Sequence, residues 1–203
     1  MRDMINFLLA GVGGQGTILA SDVLVNLGLA AGYQAKQAEV HGMSQRGGSV
    51  TSFVRWGKVV YSPLVGAGEV DVLLAFEKAE ALRSLGQLRP GALALVNLAA
   101  IEPVTVTSGG QLYPDDATLH EKITLVTDKA VYIDGEGIAS DLGNIRAANV
   151  VLLGALSALM ERDGLSGAEL SAEAWLDVIT ARVPAKYVEL NRKAFEAGRQ
   201  AVT

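Results

Sequence analysis

The sequence predicts an α/β fold, a Rossmann-like and mostly parallel sheet with helices on both faces and a helical C-terminal third, from three observations. Ile5 to Ala10 is an apolar run of strand length, closed by Gly11-Val12-Gly13-Gly14-Gln15-Gly16, after which Leu19, Val23, Leu27 and Ala30 recur at helical spacing. Asp71 to Phe76 and Gly91 to Asn97 are apolar almost throughout. A strand with one wet face would alternate, so these read as strands covered on both sides. Past Gly143, three segments follow the helical repeat: Ile145 to Glu161, Ala168 to Thr180 and Ala185 to Ala201, the last with Pro184 near its first turn.

The other elements follow in order. Gly32 stands where the first helix needs a residue tolerant of positive φ. Gln34 to Val40 is a second strand, and the polar, glycine-bearing segment from His41 to Gly48 is a loop. Ser49 to Trp56 alternates as a strand does, with Lys58 to Tyr61 its expected hairpin partner across Gly57 and Pro63 to Gly68 a further loop. Glu77 to Leu85 is the helix after the central strand. Ile101 to Tyr113 is less regular, with Val104 and Val106 alternating against threonines, and Ile123 to Thr127 and Val131 to Ile133 read as short strands. The expected organisation is one domain over 1–203, an α/β core over 1–143 with the helices of 144–203 packed on it. No internal repeat or long linker interrupts it.

Composition bounds the function. A chain of 203 residues that is 50% hydrophobic and 19% charged can bury one large core. It contains no cysteine, so this polypeptide offers no disulfide, no thiol nucleophile, no thiolate zinc site and no iron–sulfur ligation. The net charge of −5, with lysines and arginines scattered, argues against a nucleic-acid partner. No apolar run approaches the roughly 20 residues of a membrane span; the longest candidates are Asn149 to Met160 and Val70 to Phe76. The N-terminal apolar stretch is too short for a secretory signal, and a soluble cytoplasmic protein is expected.

Two loops stand out as candidate binding elements. Gly11-x-Gly13-x-x-Gly16 lies between a strand and a helix, where glycines permit a tight turn, close approach to a phosphate and close helix packing. The helix amino terminus then offers amide groups to an anion. Three readings stay open: close packing alone, a phosphate or carboxylate of some cofactor at Gly11, Gly13, Gly14, Gln15 and Gly16, and true NAD binding with Glu39 on a ribose hydroxyl. The second loop gathers His41, Ser44, Gln45 and Arg46 with Gly42, Gly47 and Gly48, a composition suited to receiving an anion, against the plainer reading of an exposed polar loop. By topology it can share a sheet edge with the first. Other candidates are weaker. His120 reads as a surface residue, His41 and His120 are too isolated to form a metal site, Asp115-Asp116 reads as a turn or helix start, and Asp134-Gly135-Glu136-Gly137 fits neither a calcium loop nor a thiamine signature. Asn144 is a helix cap, and Asn149 faces either core or partner.

Taken together, GVGGQG, HGMSQRGG followed by SVTSFVRWG, DVLLAFEKAEALR, and Gly143-Asn144 followed by NVVLLGAL resemble the gamma-type subunit of the 2-oxoacid:ferredoxin oxidoreductases over essentially the whole chain. The form of the second motif is similar to the beta-subunit type of the indolepyruvate branch; pyruvate and 2-oxoglutarate branches tend to carry an acidic residue before Arg-Gly-Gly. The resemblance implies an assembly that decarboxylates a 2-oxoacid on thiamine diphosphate, passes electrons through [4Fe-4S] clusters to ferredoxin and releases an acyl-CoA. It places thiamine diphosphate, Mg and clusters on a larger partner subunit, with no cofactor bound by this chain alone and no catalytic residue or metal ligand on it. The two glycine loops would then close the active site or shape access of coenzyme A. A stand-alone NAD enzyme, another branch of the same family and a non-catalytic assembly protein are the competing expectations.

Overall fold

A computed structural model describes residues 4–41, 48–110, 112–165 and 170–203. Its six-stranded sheet has the order β2-β3-β1-β4-β5-β6. The strands are β1 (Met4–Val12), β2 (Gln34–His41), β3 (Ser49–Gly57), β4 (Val70–Ala75), β5 (Leu88–Asn97) and β6 (Ala130–Ile133). β1, β4, β5 and β6 pair in parallel, as the continuous apolar runs predict. The helices are α1 (Thr17–Ala30), α2 (Lys78–Arg83), the short α3 (Val104–Thr107), α4 (Asp116–Thr124), α5 (Gly135–Asp141), α6 (Ala148–Arg162), α7 (Ala172–Thr180) and α8 (Val188–Gln200).

The pleat of the strands sorts side chains between two cores. Phe7, Leu9, Val72, Leu74, Leu93 and Leu95 point to the face covered by α1, α6, α7 and α8. Leu8, Ala10, Leu73, Ala75, Ala94 and Val96 point to the opposite face, under α2 and α4. On the first face, Trp56 is fully buried against Phe7, ring centroids 4.5 Å apart. It fits because α1 carries Gly28 opposite it: a Cβ there would stand 2.5 Å from Trp56 Nε1. The C-terminal helices cross still more tightly, since a Cβ at Gly154 of α6 would collide with the Phe195 carbonyl of α8, and one at Gly198 of α8 with the Val151 carbonyl of α6. The apolar core thus runs without a break from β1 to α8.

Three expectations need correction. β3 is not the partner of Lys58 to Tyr61; it runs antiparallel between β1 and β2 and pairs with both along its length. Lys58 to Tyr61 forms no strand and lies along β2 through side chains, with Val60 N donating to Gln34 Oε1 (3.0 Å) and Lys36 Nζ to the Tyr61 carbonyl (3.2 Å). Ile123 to Thr127 is the end of α4 and the turn after it, because Leu119 and Ile123, one helical turn apart, both bury against the sheet. Val104 to Thr107 is helical, nucleated by the Pro103 carbonyl, which accepts from Val106 N and Thr107 N. Among the described residues no helix is long and apolar enough to cross a membrane.

Candidate functional site

The site is built at the carboxyl edge of the parallel strands, where ligands of open α/β sheets bind. β1 leaves the sheet at Val12 and the chain reverses through Gly14 (φ +105°) and Gly16 (φ +83°), conformations that a side chain would strain. Gly11 is required for another reason: a Cβ there would lie 2.9 Å from Thr17 Cγ2 and 3.0 Å from both Gln15 Oε1 and Phe76 Cβ. Gln15 then staples the turn. Its Oε1 accepts from Val12 N (2.8 Å) and its Nε2 donates to the Phe76 carbonyl at the end of β4 (3.0 Å). Asn97, ending β5, donates to the same carbonyl (3.1 Å) and accepts from Gly135 N (2.9 Å) at the start of α5. The loops after three neighbouring strands are thereby locked to each other.

The two described ends of the second loop, His41 and Gly48, lie at the same edge. Gly13 N donates to the Gly48 carbonyl at 3.0 Å, which ties the glycine turn to the residue just before β3. His41 closes the β2 ladder opposite Val50. Gly42, Met43, Ser44, Gln45, Arg46 and Gly47 lie outside the described residues. Behind Ser49 stands a pair of buried carboxylates. Glu80 accepts from Ser49 Oγ (2.6 Å) and pairs with Arg83; Glu77 caps α2 through Glu80 N (3.0 Å) and accepts from Ile101 N (3.1 Å) and the Tyr113 hydroxyl. Burial pushes the Glu77 carboxyl above its ordinary value of 4.5 and the Glu80 charge adds to the rise, against the backbone donors of Ile101, Glu80 and Ala79. The pair straps the 98–113 segment and β3 to the end of β4.

Between the amino termini of α1 and α6 opens a cleft of about 500 Å³. Gly14, Gln15 and Gly16 line it from the α1 side and Ile145, Arg146 and Asn149 from the α6 side, where Asn149 packs against Gly16; the buried Phe76, Asn97 and Leu152 and the half-buried Glu136 complete the lining. Of the predicted site residues, the structure places Gly14, Gln15 and Gly16 in the cleft lining, with Gly11 and Gly13 supporting the turn. Arg146, Asn149 and Glu136 were not among them. The signal for Asn149 was in the sequence, a polar residue in the first turn of a helix that is apolar from Val150 to Leu156, but only the fold shows that it packs against Gly16. The lesser motifs serve locally: Asp115 caps α4, Asp134 caps α5, Asn144 caps the turn before α6, and His120 is exposed on α4. Among the described residues no group of three His, Cys, Asp or Glu side chains is placed to hold a metal ion.

The NAD reading meets a geometric obstacle. Because β3 intervenes, β2 lies two strand spacings from β1, about 10 Å, and Glu39 sits opposite Ser52 of β3 instead of flanking the glycine turn.

A family model described as pyruvate ferredoxin/flavodoxin oxidoreductase matches residues 6–201. The chain belongs to this family. Its similarity to indolepyruvate oxidoreductase subunit IorB of Thermococcus kodakarensis is 42% identity over 200 residues, covering 97% of this chain and 95% of that one. The subunit of the same name from Archaeoglobus fulgidus is 35% identical over 194 residues, covering 96% and 93%. Among solved structures, the gamma subunit of a keto/oxoacid ferredoxin oxidoreductase from Geobacter sulfurreducens superposes with a TM-score of 0.69 at 27% identity, covering 98% of both chains. A 2-oxoglutarate:ferredoxin oxidoreductase from Magnetococcus marinus shares the fold at a TM-score of 0.70 and 21% identity, this chain spanning 31% of its length. For a member of this family whose relatives are oxidoreductase subunits, the subunit reading prevails over the stand-alone NAD enzyme.

Proposed function

We propose that this chain is the gamma-type subunit of a cytoplasmic 2-oxoacid:ferredoxin oxidoreductase of the indolepyruvate branch, acting as one domain over 1–203 and inactive by itself. The observation that carries the reading is the junction of the glycine turn and the second loop at one sheet edge, through the Gly13–Gly48 hydrogen bond, in a chain 42% identical to IorB along nearly its whole length. The partner is a larger subunit that holds thiamine diphosphate, Mg and [4Fe-4S] clusters; this chain has no cysteine with which to ligate a cluster. Bound there, thiamine diphosphate would supply the electron sink for decarboxylating an aryl pyruvate, with coenzyme A as the acyl acceptor and ferredoxin as the electron acceptor.

The part played by this chain is positional. Gly11 to Gly16, stapled by Gln15, presents the uncapped amino terminus of α1, and the second loop, joined to that turn through Gly48, contributes Arg46 as its cation. Together the two loops exclude water and meet the anionic groups of coenzyme A or of the 2-oxoacid. Glu77 and Glu80 hold the edge rigid from behind.

The test is reconstitution with the larger subunit. Ferredoxin reduction that depends on aryl pyruvate and coenzyme A, and occurs only with both chains present, is the expected result. Micromolar NADH binding by this chain alone, or full activity of the partner without it, would overturn the reading.

A further inference from the structure

The cleft between α1 and α6 contains more binding chemistry than the glycine turn accounts for. Asn149 is 8% exposed, yet among the described residues its side-chain amide has no hydrogen-bond partner, and its Nδ2 would stand 2.5 Å from a Cβ at Gly16. The amide is open to the cleft, where a ligand can take the place of water as its hydrogen-bond partner. Beside it Arg146 is exposed and lines the same cleft; its backbone N donates to Asn144 Oδ1, and its guanidinium makes no hydrogen bond or ion pair among the described residues. Of the two long helices that meet here, α1 begins without a side-chain cap and without an acidic residue in its first turn, whereas α6 continues directly from the Ile145–Ala147 turn that Asn144 caps. A guanidinium fork, an amide donor and the positive end of α1 converge on one space.

We propose that this cleft is a phosphate site for a small-molecule ester, with Arg146 and Asn149 as ligand-contacting residues. The volume of about 500 Å³ is that of a small-molecule pocket, larger than a lone anion needs. Its apolar lining, Phe76 and Leu152, suits the body of an ester. The carboxylate of Glu136 repels an anion on its own side, which directs the phosphate toward α1 and α6 and leaves an acceptor for a hydroxyl or amino group of the same ligand. The proposal deepens the coenzyme A contact of the preceding reading by adding residues that lie outside both glycine loops.

Two probes test it on the full-length chain, with backbone and side-chain NMR signals of Gly16, Arg146 and Asn149 as the readout. Inorganic pyrophosphate is expected to shift these signals saturably. Arg146→Ala and the near-isosteric Asn149→Asp should each weaken that binding about tenfold or more, while Arg162→Ala, at the far end of α6, leaves it unchanged. No saturable shift, or equal losses from Arg162→Ala and Arg146→Ala, overturns the site. A cleft that instead receives a carboxylate of the partner protein gives that same negative result, with Arg146→Ala weakening assembly of the complex. Coenzyme A is the second probe: its competition with pyrophosphate for the same signals assigns the phosphate to coenzyme A. Pyrophosphate binding without that competition keeps the site and counts only against the coenzyme A contact.

Discussion

Gln15 and Asn97 donate to one oxygen, the carbonyl of Phe76, at 3.0 and 3.1 Å. Gln15 comes from the turn after β1, Asn97 is the last residue of β5, and the oxygen belongs to the residue that follows β4, the strand between them. This shared acceptor fixes three strand ends against each other before any ligand arrives.

Gln15→Ala removes two hydrogen bonds, one to Val12 N and one to the Phe76 carbonyl, and leaves the Val12 amide without its side-chain acceptor. The expected loss is about 1–3 kcal/mol of stability, read by denaturant unfolding. Amide exchange at Val12 and Gln15 should accelerate more than exchange in β5. Uniform acceleration across the sheet would show that the staple acts on global stability and not on the turn.

The buried carboxyl of Glu77 gives a pH dependence with a definite sign. Its folded pKa is raised above the ordinary 4.5, so the native state binds the proton more tightly than the unfolded chain. The associated stability is fully present below the unfolded value and is lost as pH rises from about 4.5 through the higher folded value. Glu77→Gln should lower stability at every pH, since one oxygen that accepts a hydrogen bond is replaced by a donor, and should flatten this slope. Urea unfolding across that window measures both effects; a variant with the wild-type slope would assign the slope to other carboxyls.

Gly154→Ala and Gly198→Ala test the α6–α8 crossing. Each adds a methyl against a backbone carbonyl of the facing helix, which cannot rotate away as a side chain can. A loss of about 3 kcal/mol or more is expected for each, with the double variant costing less than the sum, because the first separation of the helices makes room for the second methyl. Additive losses in thermal or chemical unfolding would mean that the two contacts yield independently.

Arg46→Ala addresses the second loop, whose final residue is bonded to the glycine turn. In the reconstituted complex it should lower ferredoxin reduction while the melting temperature stays nearly constant. Kinetics unaltered for every substrate, coenzyme A included, would remove the loop from the reaction.

The elements were legible where one physical signal dominated. Ile5 to Ala10 with its glycine turn, the apolar β4 and β5, and the periodic C-terminal helices needed no tertiary information. The position of β3 was not legible, because alternation in Ser49 to Trp56 reports one covered face and says nothing of direction or neighbours. Ile123 to Thr127 misled for a related reason: β-branched residues favour strands locally, but the burial of Leu119 and Ile123 on one helical face outweighs propensity. Of the site, the glycine turn announced itself by composition, whereas Arg146 and Asn149 acquire meaning only once α6 is laid beside α1.

The reversal of β3 has a practical corollary. The segment between His41 and Ser49 leaves and re-enters the sheet at the same edge, flanked by ladders that hold β2 to β3 and β3 to β1 along their whole lengths. A change of length or sequence between His41 and Ser49 is therefore expected to leave the register of the parallel strands and the seat of the glycine turn in place.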